Sequence, residues 1–335
     1  MLLQGNPFER FSALTCCGIA LAAVTASVAA QTPSTGPAYP LKPVRFIAPY
    51  PAGGVNDIVA RIIGQRMSAA LGQQWIVDNR PGRGGNIGTD FVAKSAPDGY
   101  TLVHGGMGSL TLGPHLSKVP YDTLRDFAPV TLTARAPNVL AVHPSLPVAS
   151  VKDLIALARA KPGQLNYATS GVGSTPHLTA ALFMSMAKVR MVHIPYKGGP
   201  PATTDLVAGQ VPVGFAPIAS LLPHIGSGRL RGLAVTGLQR SASLPDLPTV
   251  SEAGLPGFDM SPWFGVLAPA GTAGEIVSRL NQELVKILRS PDVASQLAAQ
   301  GVEAAHSTPE EFMAVIKGDL QKWGRVIAQA GIKGE

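Results

Sequence analysis

PYPAGGVNDIVARIIG, residues 49–64, reads as the end of a strand, a glycine turn and the start of a helix. The apolar run Arg45-Phe46-Ile47-Ala48 leads into it as a short strand. The chain turns through Ala52-Gly53-Gly54, and a helix begins near Asn56 or Asp57. The helix rests on the near-3.6 spacing of Ile58, Val59, Ile62, Ile63, Met67 and Leu71, with Gly72 where a C-terminal glycine belongs. The first turn of a helix carries free N–H groups at a partly positive dipole end, and glycines let the backbone approach a ligand. The stretch therefore suits a backbone cradle for an anion. A tight strand-to-helix turn without a ligand is the plain alternative.

The bulk properties narrow what surrounds that turn. A chain of 335 residues with 46% hydrophobic and only 14% charged residues has material for two domains and a large core. The net charge is +7, but the 27 Lys and Arg are scattered with no run, which argues against nucleic-acid binding and for a surface that attracts small anions. Residues 1–30 read as a secretory signal: Arg10, an apolar run from Phe11 to Val28, then Ser27-Val28-Ala29-Ala30 as a small-residue cleavage site. A retained anchor is the rival. A lipoprotein site at Cys16 fits poorly, because the apolar run mostly follows it. Both cysteines, Cys16 and Cys17, lie in this leader, so the mature chain is expected to lack disulfides, zinc-thiolate sites and thiol nucleophiles. The working protein is expected in the periplasm.

Beyond Gly72 the pattern repeats. Trp75 to Asp78 is a strand opening on Asn79-Arg80-Pro81-Gly82-Arg83-Gly84-Gly85-Asn86-Ile87-Gly88, which fails the dinucleotide fingerprint because Ile87 takes the last glycine position. Tyr100 to Val103 is a strand opening on His104 to Ser109, with Gly108 and Ser109 at its mouth. Strands alternating with helices imply an α/β chain with parallel sheets, whose ligands sit beyond the strands' carboxyl ends. Phe127 to His143 is extended and crosses into a second domain. There Leu165 to Thr169 leads into Ser170-Gly171-Val172-Gly173-Ser174-Thr175-Pro176-His177, and Met191 to Tyr196 leads into Lys197-Gly198-Gly199-Pro200-Pro201. Val211 to Phe215 and Leu230 to Val235 are further strands, and Trp263 to Leu267 returns to the first domain. Thr272 with Glu275, and Thr308 with Pro309 and Glu311, open the last two capped helices. The expected division is domain 1 over 31–136 and 258–335 and domain 2 over 137–257. Helix starts near Asn56, Ser174 and Pro200 then face one cleft, which suits a molecule with separated carboxylates.

Taken together and in order, PYPAGGVNDIVAR, DNRPGRGGNIG, APDGYTL, SGVGSTPHL, PYKGGPPATTDLVAGQV and WFGVLAPAGT make the mature chain resemble the substrate-binding receptors of tripartite tricarboxylate transporters, the Bug or TctC family. The resemblance implies a two-lobed, Venus-flytrap fold of the type II periplasmic binding-protein class. It implies a non-enzymatic, cofactor-free monomer that captures a small carboxylate and delivers it to the transporter's membrane subunits. It carries binding roles onto Pro51, Ala52, Gly53, Gly54 and Asp57, onto Ser170, Gly173, Ser174 and His177, and onto Tyr196, Lys197 and Gly198. Arg83 departs from the frequent Ala and Ala273 from the frequent Pro.

Each of these residues also has a plainer role. Asp57 reads first as a helix cap that fixes the turn, Ser174 as a cap compatible with ligand contact, His177 as a packed helix residue and Lys197 as a solvated cation. Asp205 reads as structural and Trp263 as a wall or hinge packing residue. A secreted serine esterase or hydrolase is the catalytic alternative, although no G-x-S-x-G, H-E-x-x-H or P-loop occurs. A carboxylate receptor used only for sensing is the other alternative. Backbone recognition predicts that a bulky residue at Gly53 or Gly54 abolishes binding.

Overall fold

The structure, a computed structural model, describes residues 39–332, so the leader, both cysteines and the cleavage site lie outside the described residues. In chain order the elements are β1 (Val44–Ala48), α1 (Val55–Leu71), β2 (Trp75–Asn79), α2 (Asn86–Ala93), β3 (Thr101–Gly106), α3 (Gly113–Leu116), β4 (Phe127–Arg135), β5 (Asn138–Val142), α4 (Val151–Ala160), β6 (Asn166–Thr169), α5 (Thr175–Ala187), β7 (Val192–Pro195), α6 (Gly199–Val207), β8 (Val213–Pro217), α7 (Ile218–Gly226), β9 (Arg231–Val235), β10 (Trp263–Pro269), α8 (Gly274–Leu288), α9 (Pro291–Ala298), β11 (Glu303–Ala304) and α10 (Pro309–Ala330). A 3₁₀ turn at Arg83–Gly85 and a π turn at Gly108–Leu112 complete the loops. No helix among the described residues is long and apolar enough to cross a membrane.

Two sheets define a two-lobed α/β fold. The first has the order β11-β4-β10-β3-β1-β2 and the second β7-β6-β8-β5-β9. Strands buried on both faces read as continuous apolar runs, and β1 is such a strand: Val44, Phe46, Ile47 and Ala48 are fully buried. The sheets are mixed, not parallel throughout. β1, β2 and β3 are parallel, but β10 returns antiparallel between β3 and β4, and β5 runs antiparallel between β8 and β9. Each chain crossing thus enters the other lobe's sheet from the opposite end, which alternation of strands and helices does not reveal.

α1 begins at Val55 and ends at Gly72 in the left-handed conformation (φ 68°), as the periodicity predicts. β3 runs three residues further than expected, to Gly106, because β10 pairs along it from Val103 to Gly106. The expected cap at Thr272 does not form. α8 starts at Gly274, and the Thr272 hydroxyl donates instead to the Pro269 carbonyl at 2.8 Å. Thr308 and Glu311 do form a full capping box.

The main core is continuous across both lobes, joining Ile47 and Val103 to Leu140, Tyr167 and Phe215 through Trp263, Phe312 and Trp323. Each large apolar side chain so buried contributes roughly 1.5–3 kcal/mol. α10 makes the junction, packing on β4 of the first lobe and α5 of the second. α5 is consequently buried on all sides over its first half, with Pro176 to Phe183 covered without a break. Gly265 lets α10 lie close to the sheet, since a Cβ there would sit 2.3 Å from the Phe312 ring.

Candidate functional site

The turn at Pro51–Gly54 is exposed at the carboxyl end of β1 and is held from below by Asp57. Asp57, third residue of α1 and almost fully buried, accepts from the Gly53 amide at 2.9 Å, Arg61 Nε at 3.0 Å and Asn79 Nδ2 at 2.9 Å. Burial works to raise its pKa, but Arg61, the Gly53 amide and Asn79 outweigh it and hold the carboxyl below the usual range. Asn79 Nδ2 also donates to the Tyr50 carbonyl at 3.2 Å, so β2 braces the same turn. The expected capping role of Asp57 therefore takes the form of a reach back past the Gly54 N-cap to the residue before it.

This bracing relocates the free donors. Gly53 N–H is taken by Asp57, and Gly54 N–H points to the Pro51 carbonyl at 3.3 Å. No described residue accepts from the amides of Val55, Asn56 and Asp57. The amides left without an acceptor are thus those of the first turn of α1 and not those of the two glycines before it. Gly53, at φ 79°, is where glycine is required, whereas Gly54, at φ −78°, has ordinary backbone geometry. Gly53→Val is expected to cost about 1–2 kcal/mol in denaturant unfolding and to misplace the turn. Gly54→Val should perturb the fold less.

Beneath α1, Asn56 and His104 clasp each other. Asn56 Nδ2 donates to the His104 carbonyl at 2.8 Å, and His104 Nδ1 lies 3.1 Å from the Asn56 carbonyl. A carbonyl only accepts, so Nδ1 carries the proton and Nε2 accepts from Thr133 Oγ1 at 2.8 Å. Burial presses the His104 pKa to about 3 despite the Asn56 bond, so the ring is neutral. The helix start is thereby fixed to β3.

Tyr50 is the residue sequence reasoning passed over. Added Cβ atoms would sit 3.0 Å from its ring at Gly85, and 3.3 and 2.9 Å from its hydroxyl at Gly106 and Gly108. The glycine richness of the second and third loops makes room for this ring. Its hydroxyl accepts from the Ser109 amide at 3.3 Å, and its own proton has no acceptor among the described residues. Burial pushes the phenol up, which keeps it a donor. The available signal was an aromatic residue directly before the Pro-x-Gly-Gly turn. Ser109, in contrast, is fully buried, with its hydroxyl on Thr89 Oγ1 and its carbonyl accepting from Tyr121. It belongs to the lobe interior, and Gly108 faces Tyr50.

In the second lobe, Ser174 caps α5: its Oγ accepts from the His177 amide at 3.3 Å and donates to the Gly171 carbonyl at 2.7 Å. Gly173 N–H donates to His177 Nδ1 at 3.1 Å, and a Cβ at Gly173 would sit 2.9 Å from Leu116 Cδ1 of the first lobe. The loop therefore touches the opposite lobe through a residue without a side chain. Gly198 N–H donates to the Ser170 carbonyl at 3.3 Å, tying the 170 and 198 loops together. Tyr196 donates to Asp205 at 2.7 Å, and burial with that acid pushes its hydroxyl up to about 12, so Asp205 is structural as read. Lys197 is exposed and has no acidic partner among the described residues. The start of α6 offers less than expected, because Pro200 and Pro201 carry no N–H and only Gly199 does. The Val172 and Thr175 amides have no acceptor among the described residues.

The groups left without a partner among the described residues are donors: the amides of α1's first turn and the Tyr50 hydroxyl in the first lobe, and Lys197 in the second. No imidazole accepts from Ser174, whose proton goes to a carbonyl, so the Ser–base pair an esterase needs is not built here. Among the described residues no group of His, Asp and Glu is placed to hold a metal ion.

The crossings lie beside one another. Asn138 and Thr236 exchange bonds (Asn138 N–H to Thr236 Oγ1 at 3.0 Å, Thr236 N–H to the Asn138 carbonyl at 2.9 Å), and Ala136 N–H donates to the Pro262 carbonyl at 2.8 Å. α10 clamps them: Lys322 Nζ reaches the Asp259 carbonyl at 2.7 Å, and Trp263 Nε1 donates to Asp319 at 2.6 Å.

Comparison with known proteins agrees with this architecture. The family described as "Tripartite tricarboxylate transporter family receptor" matches residues 59–332. The chain is 41% identical over 313 residues to the UPF0065 protein in the tcbD-tcbE intergenic region of Pseudomonas sp. strain P51, covering 93% of this chain and 92% of that one. It is 39% identical over 317 residues to the protein BugT of Bordetella pertussis, covering 94% and 95%. Among solved structures, Rpa4515 of R. palustris with adipate superposes with a TM-score of 0.79 at 38% identity, covering 89% of this chain and all of that one. MatC from Rhodopseudomonas palustris with bound malate gives 0.73 at 30%, covering 86% and 100%. These relatives are solute-binding receptors and not enzymes, and this chain belongs to the tripartite tricarboxylate transporter receptor family, the Bug/TctC receptors.

Proposed function

We propose that the mature chain is a monomeric periplasmic receptor that captures a small carboxylate between its lobes and delivers it to the membrane subunits of a tripartite tricarboxylate-type transporter. The observation that carries this reading is the row of unclaimed amides at Val55, Asn56 and Asp57, with the Asp57 carboxylate already engaged by Gly53, Arg61 and Asn79. The adipate and malate held by two relatives are the same class of molecule. In this reading residues 1–30 are removed on export. Lobe one comprises 31–136 and 258–335, and lobe two comprises 137–257.

The ligand first meets the 51–57 turn. Val172, Thr175 and Gly199 then supply amides from the other side, with Ser170, Gly173, Ser174, His177, Tyr196, Lys197 and Gly198 forming the closing wall. Closure turns about the paired crossings at Ala136–Asn138 and Thr236–Trp263. Hydrogen bonds to a charged group contribute about 1.5–3 kcal/mol each, so four or five reach the ~8 kcal/mol of micromolar binding before ordering is subtracted.

A thermal-shift screen of the mature protein against a carboxylate library that includes adipate and malate tests this. At a ligand concentration 1,000-fold above Kd the stabilisation is about 4 kcal/mol, which appears as a rise of several degrees in Tm. No shift with any carboxylate, or turnover of a chromogenic ester, would sink the receptor reading.

A further inference from the structure

The second-lobe loop is held by a stack of three rings. His177 of α5 and His193 of β7 lie face to face, centroids 4.0 Å apart and planes 11° from parallel. Tyr167 of β6 covers the other face of His193 at 5.1 Å and 16°. One imidazole holds a glycine of the loop directly and the other through Thr169. His177 Nδ1 accepts the Gly173 amide directly, which places its own proton on Nε2. His193 Nε2 lies 2.6 Å from Thr169 Oγ1, and that oxygen accepts the Gly171 amide at 3.2 Å.

The geometry points to His193 and His177 as a proton-sensitive pair that positions the 170–174 loop of the binding site: as neutral rings they hold it in shape, and protonation of either lets it go. A proton on His177 Nδ1 replaces an acceptor with a donor facing the Gly173 N–H, so that bond cannot persist. Gly173 is the point of contact with Leu116, so its movement changes how the two lobes meet. With the neutral His193 proton on Nδ1 and Nε2 accepting the Thr169 hydroxyl, a proton added at Nε2 obliges Thr169 to accept from it, which turns the Thr169 hydrogen toward the Gly171 carbonyl 3.3 Å away. That carbonyl already receives the Ser174 hydroxyl and amide. The titratable groups facing the pair are each other, from α5 and β7, and Tyr167, from β6. No carboxylate among the described residues pairs with either ring to stabilise a cation.

The direction of the effect follows from the ring environments. Burial lowers the pKa of His177, and burial with the neighbouring His177 lowers His193 to about 4, from an ordinary value of 6.5. Both rings are neutral at pH 7. The held form is favoured above the ordinary value of about 6.5; the His177 contact is lost at some pH below it, and the His193 contact as pH falls through about 4. The proposal takes its meaning for ligand capture from the receptor reading, but its test does not.

In the ligand-free mature protein, the ring Cε1–H resonances of both histidines and the amides of Gly171 and Gly173 are followed by NMR from pH 7.5 down to about 3. The expected result is that the Gly173 amide proton moves upfield, as a lost hydrogen bond requires, with the midpoint of the His177 ring. The Gly171 amide should share the midpoint of His193. In His193→Phe, which keeps the stacked ring without the titration, the Gly171 response should vanish while the Gly173 amide still follows the His177 ring. Gly171 and Gly173 amides that stay flat while the rings titrate, or rings that remain neutral until the protein unfolds, would overturn it. Because no ligand is present, a failed carboxylate screen leaves this experiment intact, and a flat titration leaves the receptor reading intact.

Discussion

Val55→Pro should weaken carboxylate binding by about 10- to 150-fold while leaving the fold essentially as stable as before. The substitution deletes one backbone N–H and alters only the partly buried packing of the Val55 side chain on the core. Val55 is the first residue of α1, where proline's fixed φ suits the helix and its missing N–H breaks no internal bond. Gly54 before it has φ −78° and ψ 165°, the extended geometry that a following proline demands. The Val55 amide has no acceptor among the described residues, so its loss should be felt only by a ligand. A hydrogen bond to a charged group contributes about 1.5–3 kcal/mol, which is the stated range in Kd. Val55→Ala, which trims the side chain but keeps the amide, is the control and should bind nearly as the wild type. The measurement is calorimetric titration with whichever carboxylate raises the melting temperature. If the proline variant binds that acid as tightly as the wild type, the first turn of α1 is not the cradle.

That experiment differs from the one the sequence suggests, and the reason is physical. The strand, the glycine turn and the helix were legible because apolar spacing and Gly72 mark them locally. The use of the glycines was not. Gly85, Gly106 and Gly108 come from two separate loops and converge on Tyr50, a convergence created by the sheet order and invisible in any one segment. The engagement of the Gly53 amide depends on the Asp57 side chain turning back over the helix start while Arg61 and Asn79 hold it there. The weakness of the third helix start was readable, since two consecutive prolines at 200 and 201 remove two donors by composition alone. The antiparallel entry of β10 into the middle of the first sheet and the two-residue β11 are set by long-range pairing, which leaves no periodic trace. The His177–His193 stack likewise joins a helix start to an edge strand across the β6 loop.

Asp319→Ala should lower the unfolding free energy by about 2–3 kcal/mol, whereas Asp319→Asn should leave it unchanged or raise it at pH 7. Asp319 lies on α10 and receives Trp263 Nε1 at 2.6 Å, and Trp263 is fully buried at the return crossing. Alanine leaves that indole N–H without an acceptor, and a buried unsatisfied donor costs about 1–3 kcal/mol in addition to lost packing. Asparagine keeps an acceptor oxygen and removes the charge. The charge is a burden here: burial raises the pKa of Asp319, with Asp259 adding to the rise, and the Trp263 bond, Lys322 and Arg135 only partly offset it. A carboxyl whose folded pKa is raised stabilises most when protonated, and that contribution is lost as pH rises through the folded value. The wild type should therefore gain on the asparagine variant as pH is lowered from 7 towards 4, and the two denaturant curves should converge. Parallel curves, or an asparagine variant as unstable as the alanine one, would show that ionised Asp319 holds Trp263 through its charge. The return crossing would then be fastened by electrostatics and not by a single neutral-compatible hydrogen bond.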